Sequence, residues 1–207
     1  QACDKYNIHL IADEIAVGFG RTGTMFAYEQ SKITPDIVCL SKGITGGYMT
    51  LSTILTTDDL YDAFYDEYTK LNAFLHSHSY TANPIACAAA NASLDLFEKN
   101  NVIDKNKALS KYILNSLKNL INHPHVSDVR QHGMITAVEI VKNKLTKEPY
   151  DWKERRGIRA YQFGLNNGVL IRPLGNVIYF MPPYIIKKKE IDLVVNVIKD
   201  AIDVATK

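Results

Sequence analysis

The sequence predicts an α/β protein in two parts, a layered domain over residues 1–105 and a small α+β domain over residues 106–207. Three observations support this prediction. The run IVCL at residues 37–40 is continuously apolar, which is typical of a strand buried in a parallel sheet. An alanine-rich helix is expected from Pro84, and the final segment KKKEIDLVVNVIKDAIDVA has the apolar spacing of an amphipathic helix. Helices that alternate with or flank short strands form layered folds of this kind.

The elements of the first part follow from apolar runs and turn residues. IHLIADE predicts a strand that leads into a loop, TGTMFAYEQSK a short helix, DIVCL a second strand, and TLSTILTT an alternating strand. The segment PIACAAANASLDLFEKN then predicts a helix. Asn83 is suited to cap this helix, and Pro84 is suited to its first position.

The elements of the second part are shorter. ALSKYILNSLKNLI has helical spacing, and GMITAVEIV is typical of a strand. GVLIRPLGNVIYFMPP predicts two short strands around a glycine turn, before the amphipathic helix at the end. A few strands flanked by helices indicate a small α+β domain.

Composition excludes several classes of function. The chain has 207 residues, 46% of them hydrophobic, and a formal charge of +2 without a long basic block, which argues against nucleic acid or anionic membrane as partners. Cys3, Cys39 and Cys87 form no CxxC pair, so neither a disulfide framework nor a zinc site is indicated, and a reducing, cytoplasmic setting is favoured. No signal peptide or membrane-spanning run is recognised. The absence of an initiator Met leads us to expect a fragment.

The segment GFGRTG at residues 18–23 matches the GxGxxG pattern of dinucleotide-binding loops. Its context argues against that interpretation. Asp13 and Glu14 separate it from the preceding strand, and the acid that should bind ribose is missing from the end of the next strand, where Lys42 lies instead.

Asp13 and Lys42 form a better chemical pair. Each is expected at the carboxyl end of a strand, the edge at which open α/β sheets bind ligands, and their separation of 29 positions leaves room for a crossover. A lysine that forms a Schiff base and a carboxylate that holds a pyridine nitrogen protonated are the groups that pyridoxal phosphate requires. The alternatives remain a solvated loop lysine and an aspartate that caps a turn.

Two stretches, LIADEIAVGFGRTG and PDIVCLSKGITGG, resemble the signature of the class III, fold-type I pyridoxal phosphate aminotransferases. HSHSYTANPIACAAANASL and LIRPLGNVIYFMPPYII resemble, in particular, the branch of the family that acts in biotin biosynthesis. The similarity extends from about His9 to Ile186. It implies that the chain contains part of the fold-type I large domain followed by the small C-terminal domain.

The resemblance also implies roles for individual residues. Lys42 would bind pyridoxal 5'-phosphate covalently and then transfer the proton, while Asp13 would pair with the pyridine nitrogen. Ser79 matches the hydroxyl residue that reaches the cofactor phosphate of the neighbouring subunit, which implies a homodimer with shared active sites. The family usually has glycine where this chain has Ser77.

Arg172 and Tyr179 are the candidate substrate-binding residues. By resemblance, Arg172 would bind the carboxylate of the amino acceptor, for which a guanidinium fork is well shaped. Tyr179 matches a position in the substrate pocket. The alternatives are an arginine at the rim of the domain and a half-buried strand tyrosine. His76 and His78 could share one face of a strand as metal ligands, but no third ligand of suitable spacing is near, and no metal site is predicted.

The reaction implied by the resemblance is transfer of an amino group from S-adenosylmethionine to 8-amino-7-oxononanoate, which gives 7,8-diaminononanoate. Lysine is the alternative donor, and action on other ω-amino acids is the alternative within the family. Chains of this family are about twice as long. A different class of function therefore also stays open, in which the chain is an inactive fragment or an interaction module that binds its missing half.

Overall fold

The computed structural model describes all residues 1–207 and forms two compact units, Gln1–Ile103 and Asp104–Lys207. The first unit contains a three-stranded sheet and helices of different length. Its elements are α1 (Ala2–Tyr6), β1 (Ile11–Asp13), β2 (Ile37–Leu40), β3 (Thr53–Thr56), α2 (Asp58–Asp62) and α3 (Pro84–Lys99).

The sheet of the first unit brings two predicted strands together. β1 and β2 are parallel neighbours, and Asp13 is opposite Cys39 in their register. β3 lies antiparallel on the other side of β2. The parallel pair confirms the predicted crossover connection. One detail differs from the prediction. Asp13 is the last residue of β1, whereas it was expected just after the end of this strand.

α3 begins as predicted. The Asn83 side chain accepts hydrogen bonds from the backbone N–H groups of Ile85 (2.9 Å) and Ala86 (3.3 Å), and Pro84 is the first helical residue. The helix contributes Ala90 to an apolar core. Because alanine is small, the helix can pack closely against this core. The remaining members of this core are Phe19, Val38, Leu40 and Ile44.

The predicted helix over TGTMFAYEQSK is wrong in extent. Only Ala27–Ser31 is helical, as a 3-10 helix, and the residues before it form turns. Gly20 and Gly23 both have positive φ, at 84° and 104°, which interrupts a right-handed helix. The segment is therefore a compact loop that ends in a single helical turn.

The second unit is a four-stranded antiparallel sheet with helices, in the strand order β4-β5-β7-β6. Its helix α4 begins just before the unit boundary. The elements are α4 (Val102–Leu117), β4 (Val126–His132), β5 (Ile135–Ile140), α5 (Arg156–Asn166), β6 (Arg172–Leu174), β7 (Val177–Phe180) and α6 (Lys188–Thr206).

The core of the second unit is formed mainly by one face of the sheet together with α4 and α6. Ile191, Ile198 and Ile202 of α6 are almost fully buried, which confirms the amphipathic helix predicted at the end of the sequence. The two strands predicted around Gly175 are present, and this glycine has a φ of 59°. Two elements, β4 and α5, were not predicted. None of the helices is both long and apolar enough to cross a membrane.

Candidate functional site

Two of the predicted site residues lie at the same edge of the sheet in the first unit. Asp13 ends β1, and Lys42 follows the end of the neighbouring parallel strand β2 by two positions. The backbone N–H of Glu14 donates to the carbonyl of Cys39 at 3.0 Å, which keeps the two strand ends together. The structure therefore brings the carboxylate and the amine to the carboxyl edge of the parallel pair, where α/β sheets bind ligands.

The side chains of Asp13 and Lys42 are both available to bind a ligand. One Asp13 oxygen, Oδ1, accepts a hydrogen bond from the backbone N–H of Ile15 at 3.0 Å, while no hydrogen bond or salt bridge engages the Lys42 ammonium. Both residues are solvent-exposed. A free amine can form an imine with an aldehyde, and a carboxylate can keep a ring nitrogen protonated.

The Lys42 backbone has an unusual conformation. Its φ is 44°, in the left-handed region that non-glycine residues seldom occupy. Lys42 begins a short 3-10 helix, Lys42–Thr45, which ends at Gly46 with φ 60°. Such backbone conformations occur at functional sites when the surrounding structure holds them in place.

Glu14 was missed by the sequence analysis as a functional residue. It is 2% exposed, and its carboxylate accepts hydrogen bonds from the backbone N–H groups of Ala27 and Tyr28, both at 2.9 Å. Its carbonyl accepts another from Gly18 at 2.9 Å. Glu14 thus ties the loop that follows β1 to the end of that strand, directly beside Asp13. The sequence did offer a signal for Glu14, since it is an acid next to Asp13 at the end of a predicted strand.

The loop at residues 18–23 does not have the form of a dinucleotide site. A dinucleotide-binding loop opens directly into a long helix whose N-terminus faces the phosphates. Here the glycines lie in consecutive turns, and the next helix along the chain is only the 3-10 turn Ala27–Ser31.

Ser79 lies in an exposed turn of the first unit. The turn is closed by hydrogen bonds between the backbones and side chains of His78 and Thr81, and no hydrogen bond engages the Ser79 hydroxyl. Ser77, at the position that is usually glycine in the family, is not among the residues with positive φ. The His78 ring accepts a hydrogen bond from the backbone N–H of Tyr80 at 3.1 Å, and no cluster of three or more His, Cys, Asp or Glu side chains is placed to hold a metal.

Arg172 and Tyr179 are brought together in the second unit. They are directly opposite one another in the antiparallel pair β6–β7, so their side chains point to the same face. Arg172 is exposed and forms no salt bridge, while Tyr179 is half-buried. Both border a groove of about 760 Å³ whose other walls are mainly apolar residues of the segment before α6 and of α6 itself. A cation at the edge of an apolar groove suits a ligand with an aliphatic chain and a terminal carboxylate.

Comparison with known proteins gives a consistent result over nearly the whole chain. The family model for class III aminotransferases matches residues 1–202. The adenosylmethionine-8-amino-7-oxononanoate aminotransferase of Geobacter sulfurreducens is 50% identical over 206 residues, which cover 100% of this chain and 46% of that protein. This chain thus spans about half the length of the curated relatives that it matches.

Solved structures agree with this result. The crystal structure of adenosylmethionine-8-amino-7-oxononanoate aminotransferase from Methanocaldococcus jannaschii superimposes with a TM-score of 0.92 at 42% identity, over 98% of this chain and 47% of that one. The ω-transaminase from Pseudomonas jessenii, solved in complex with PMP, gives a TM-score of 0.92 at 31% identity, over 99% and 45% of the two chains. These structures share the mixed α/β fold of this chain.

Proposed function

The chain belongs to the class III aminotransferase family, and from this membership we propose that it is part of a pyridoxal 5'-phosphate-dependent aminotransferase of biotin biosynthesis. The proposed reaction transfers an amino group from S-adenosylmethionine to 8-amino-7-oxononanoate and yields 7,8-diaminononanoate. The names of the relatives with 40–53% identity support this choice of substrates. A cytoplasmic setting is part of the proposal.

The observation that carries the proposal is the position of Lys42 and Asp13 at adjacent ends of parallel strands. These two groups fit pyridoxal phosphate, because the lysine amine can bind its aldehyde carbon while the carboxylate keeps its ring nitrogen protonated. When bound, the cofactor would carry the amino group between donor and acceptor and delocalise the electrons of the broken C–H bond. The exposed Lys42 amine is free to accept and return the proton at the reacting carbon.

Arg172 and Tyr179 are proposed to bind substrate. The Arg172 guanidinium would bind the carboxylate of 8-amino-7-oxononanoate through two parallel hydrogen bonds, and the apolar walls of the groove suit the alkyl chain of such an acid. Tyr179, opposite Arg172 in the β6–β7 pair, is proposed to contact the same ligand.

The active enzyme is proposed to be a homodimer with shared active sites. Ser79 would donate its hydroxyl proton to a phosphate oxygen of the cofactor bound by the partner subunit. The exposure of Ser79 and the unengaged hydroxyl agree with a ligand from outside this chain.

The function is tested with the full-length protein that contains this chain. We expect the purified protein to be yellow and Lys42→Ala to abolish amino transfer while it still binds the cofactor noncovalently, since the Asp13 and phosphate contacts remain. Amino transfer at the normal rate by Lys42→Ala would contradict the proposal. Assays with S-adenosylmethionine, lysine and other ω-amino acids as donors decide between the main proposal and a general ω-amino-acid aminotransferase, which the ω-transaminase structures favour as second candidate.

A further inference from the structure

The loop GFGRTG at residues 18–23 packs directly against the turn that carries Lys42. Its residue Phe19 is 3% exposed and belongs to the core of the first unit. A Cβ atom placed on Gly43 would lie 2.8 Å from the Phe19 Cβ and 2.9 Å from its Cδ2. The Phe19 side chain therefore rests on the backbone of the residue that follows Lys42, where only glycine fits.

Phe19 and Lys42, the residue before Gly43, both have a left-handed backbone conformation. Phe19 has a φ of 56° and Lys42 a φ of 44°. Left-handed backbone at a non-glycine residue is unfavourable, and packing of the surrounding residues can hold it in place. The exposed turn residues Lys32 and Leu71 share this conformation, whereas Phe19 is buried. The contact between Phe19 and Gly43 is in the right place to provide that packing on both sides.

Other contacts limit how the Lys42 turn can move. The Ser93 hydroxyl of α3 is 3.5 Å from the Gly43 carbonyl, and the Ser41 hydroxyl donates to the Leu51 carbonyl at 2.8 Å. Gly43 thus contacts both Phe19 and α3, and the Phe19 ring also packs against Phe97 of α3 with ring centres 6.4 Å apart. Displacement of Phe19 would release the turn toward the space that its ring leaves.

The position of Phe19 is itself fixed by the end of β1. Glu14 holds the start of the loop through Gly18 and its far end through Ala27 and Tyr28. The Phe19 ring also packs against Phe26, edge to face, with ring centres 5.6 Å apart. Through these contacts, the loop connects the end of the strand at Asp13 with the turn at Lys42.

We propose that Phe19 is a positioning residue for Lys42, because its ring packs on Gly43 and holds the lysine backbone in the left-handed conformation beside Asp13. The inference rests on the proposed role of Lys42 in amino transfer. In this role, the GFGRTG segment fixes the distance between the Lys42 amine and the Asp13 carboxylate.

The test compares Phe19→Ala with Leu117→Ala in the full-length holoenzyme. Leu117→Ala removes a large buried side chain from the core of the second unit, to which neither Phe19 nor Gly43 belongs, and serves as the control for loss of core packing. We expect Phe19→Ala to reduce kcat about 10- to 100-fold, as displaced catalytic groups do, with little change in KM. Leu117→Ala should lower the unfolding temperature with kcat preserved, and Phe19→Leu should recover most of the lost rate.

A second readout does not depend on amino transfer. In cofactor-free protein, the rate at which acetic anhydride labels Lys42 is measured against that of Lys32, an exposed lysine of the same unit. We expect this ratio to change severalfold in Phe19→Ala and to stay constant in Leu117→Ala. This readout still decides the role of Phe19 if Lys42→Ala shows that the proposed function is wrong.

Gly43→Ala tests the same contact without opening a cavity, and it covers the case in which Phe19→Ala does not fold. Its added methyl group must displace either Phe19 or the Lys42 turn, so we expect the same loss of kcat and the same change in Lys42 labelling. An unchanged labelling ratio and an unchanged kcat in Gly43→Ala, or equal behaviour of Phe19→Ala and Leu117→Ala, would overturn the inference.

Discussion

At the scale of single residues, Arg172 permits the most direct test of substrate binding. It projects from β6 beside Tyr179 of β7 without a salt bridge, so its replacement breaks no ion pair within the chain. In the full-length protein, we expect Arg172→Ala to weaken the half-reaction with 8-amino-7-oxononanoate by about 2–5 kcal/mol, the typical effect of breaking a hydrogen-bonded charge pair.

Single-turnover kinetics of the two half-reactions measure this effect. Arg172→Lys should restore only part of the loss, because an ammonium cannot form both parallel hydrogen bonds to a carboxylate. Binding of the cofactor should not change. Equal losses in the donor and acceptor half-reactions would indicate that Arg172 has a structural role.

Individual residues also explain which parts of the site were predictable. Asp13 and Lys42 could be placed from sequence because each follows an apolar run, and strand ends of a parallel pair meet at one edge. Phe19 and Glu14 could not be placed, because their roles depend on contacts with Gly43 and with the Ala27 turn, far along the chain. The GFGRTG pattern was recognised as a weak nucleotide motif and as part of the family signature, but no role was predicted for its phenylalanine.

At the scale of elements, the missed strand and helix have identifiable causes. β4 contains charged side chains, and Arg130 of this strand forms ion pairs with Asp128 (2.9 Å) and with Glu139 of β5 (2.7 Å). Pairing with β5 therefore compensates for a weak intrinsic strand preference. α5 contains Gly157 and Gly164, which disfavour a helix in isolation but allow it to pack closely. The apolar side chains of α5 do recur at helical spacing, so this helix was missed because of its glycines and not because a periodic signal is absent.

Gly157 provides a prediction for α5. A Cβ at this position would lie 2.6 Å from both the Gly175 carbonyl oxygen and the Pro173 Cβ, in the hairpin that carries Arg172. Gly157→Ala should gain about 0.8–1 kcal/mol of helix propensity but lose about 1–3 kcal/mol to overpacking, so we expect a net loss of stability. Urea unfolding measures the change, with the exposed Gln162→Ala in the same helix as control. If Gly157→Ala is more stable than the parent, the hairpin moves away from the added methyl group at little cost in free energy.

The contact between α4 and α6 predicts a pH dependence of stability. Tyr112 of α4 donates its hydroxyl proton to Asp192 of α6 at 2.6 Å, and this hydrogen bond raises the pKa of Tyr112. The Lys188 ammonium lies over the same ring at 5.2 Å. Because the folded pKa is higher than the unfolded pKa, the stabilisation is present below the unfolded value, near pH 10, and is lost as pH rises through the folded value.

Urea unfolding of the parent protein and of Tyr112→Phe at several values between about pH 9 and 11 measures this contribution. The parent should lose stability more steeply with rising pH than Tyr112→Phe, which has no phenol to ionise. Parallel curves for the two proteins would mean that the hydrogen bond to Asp192 does not contribute to stability in solution.

At the scale of the whole molecule, the first unit has an exposed aromatic surface, defined by the side chains between residues 61 and 80. Its most exposed members include Tyr68 at 88% and Leu75 at 91%. Tyr61 and Tyr65 are stacked at 5.5 Å, and Phe64 packs on Phe74 at the same distance. Large exposed apolar areas of this kind mark protein–protein interfaces, and Ser79 lies at the end of this surface. Such a surface suits contact with a partner subunit, as proposed, and equally with the segment that the longer relatives have in addition to the part matched here.

A mixed dimer tests whether active sites are shared across that surface. Ser79→Ala alone should weaken cofactor retention by about 1.5–3 kcal/mol, the effect of one lost hydrogen bond to a charged group, without stopping amino transfer. When Ser79→Ala and Lys42→Ala subunits of the full-length protein exchange, one site of each mixed dimer carries both changes and the other carries neither. At limiting cofactor concentration, the mixture should therefore regain fully competent sites that neither variant has alone. Activity is measured before and after exchange, with subunit exchange verified by mass spectrometry and unmixed variants as controls. If exchange occurs and no competent sites appear, Ser79 acts within its own subunit, and the shared-site arrangement does not hold.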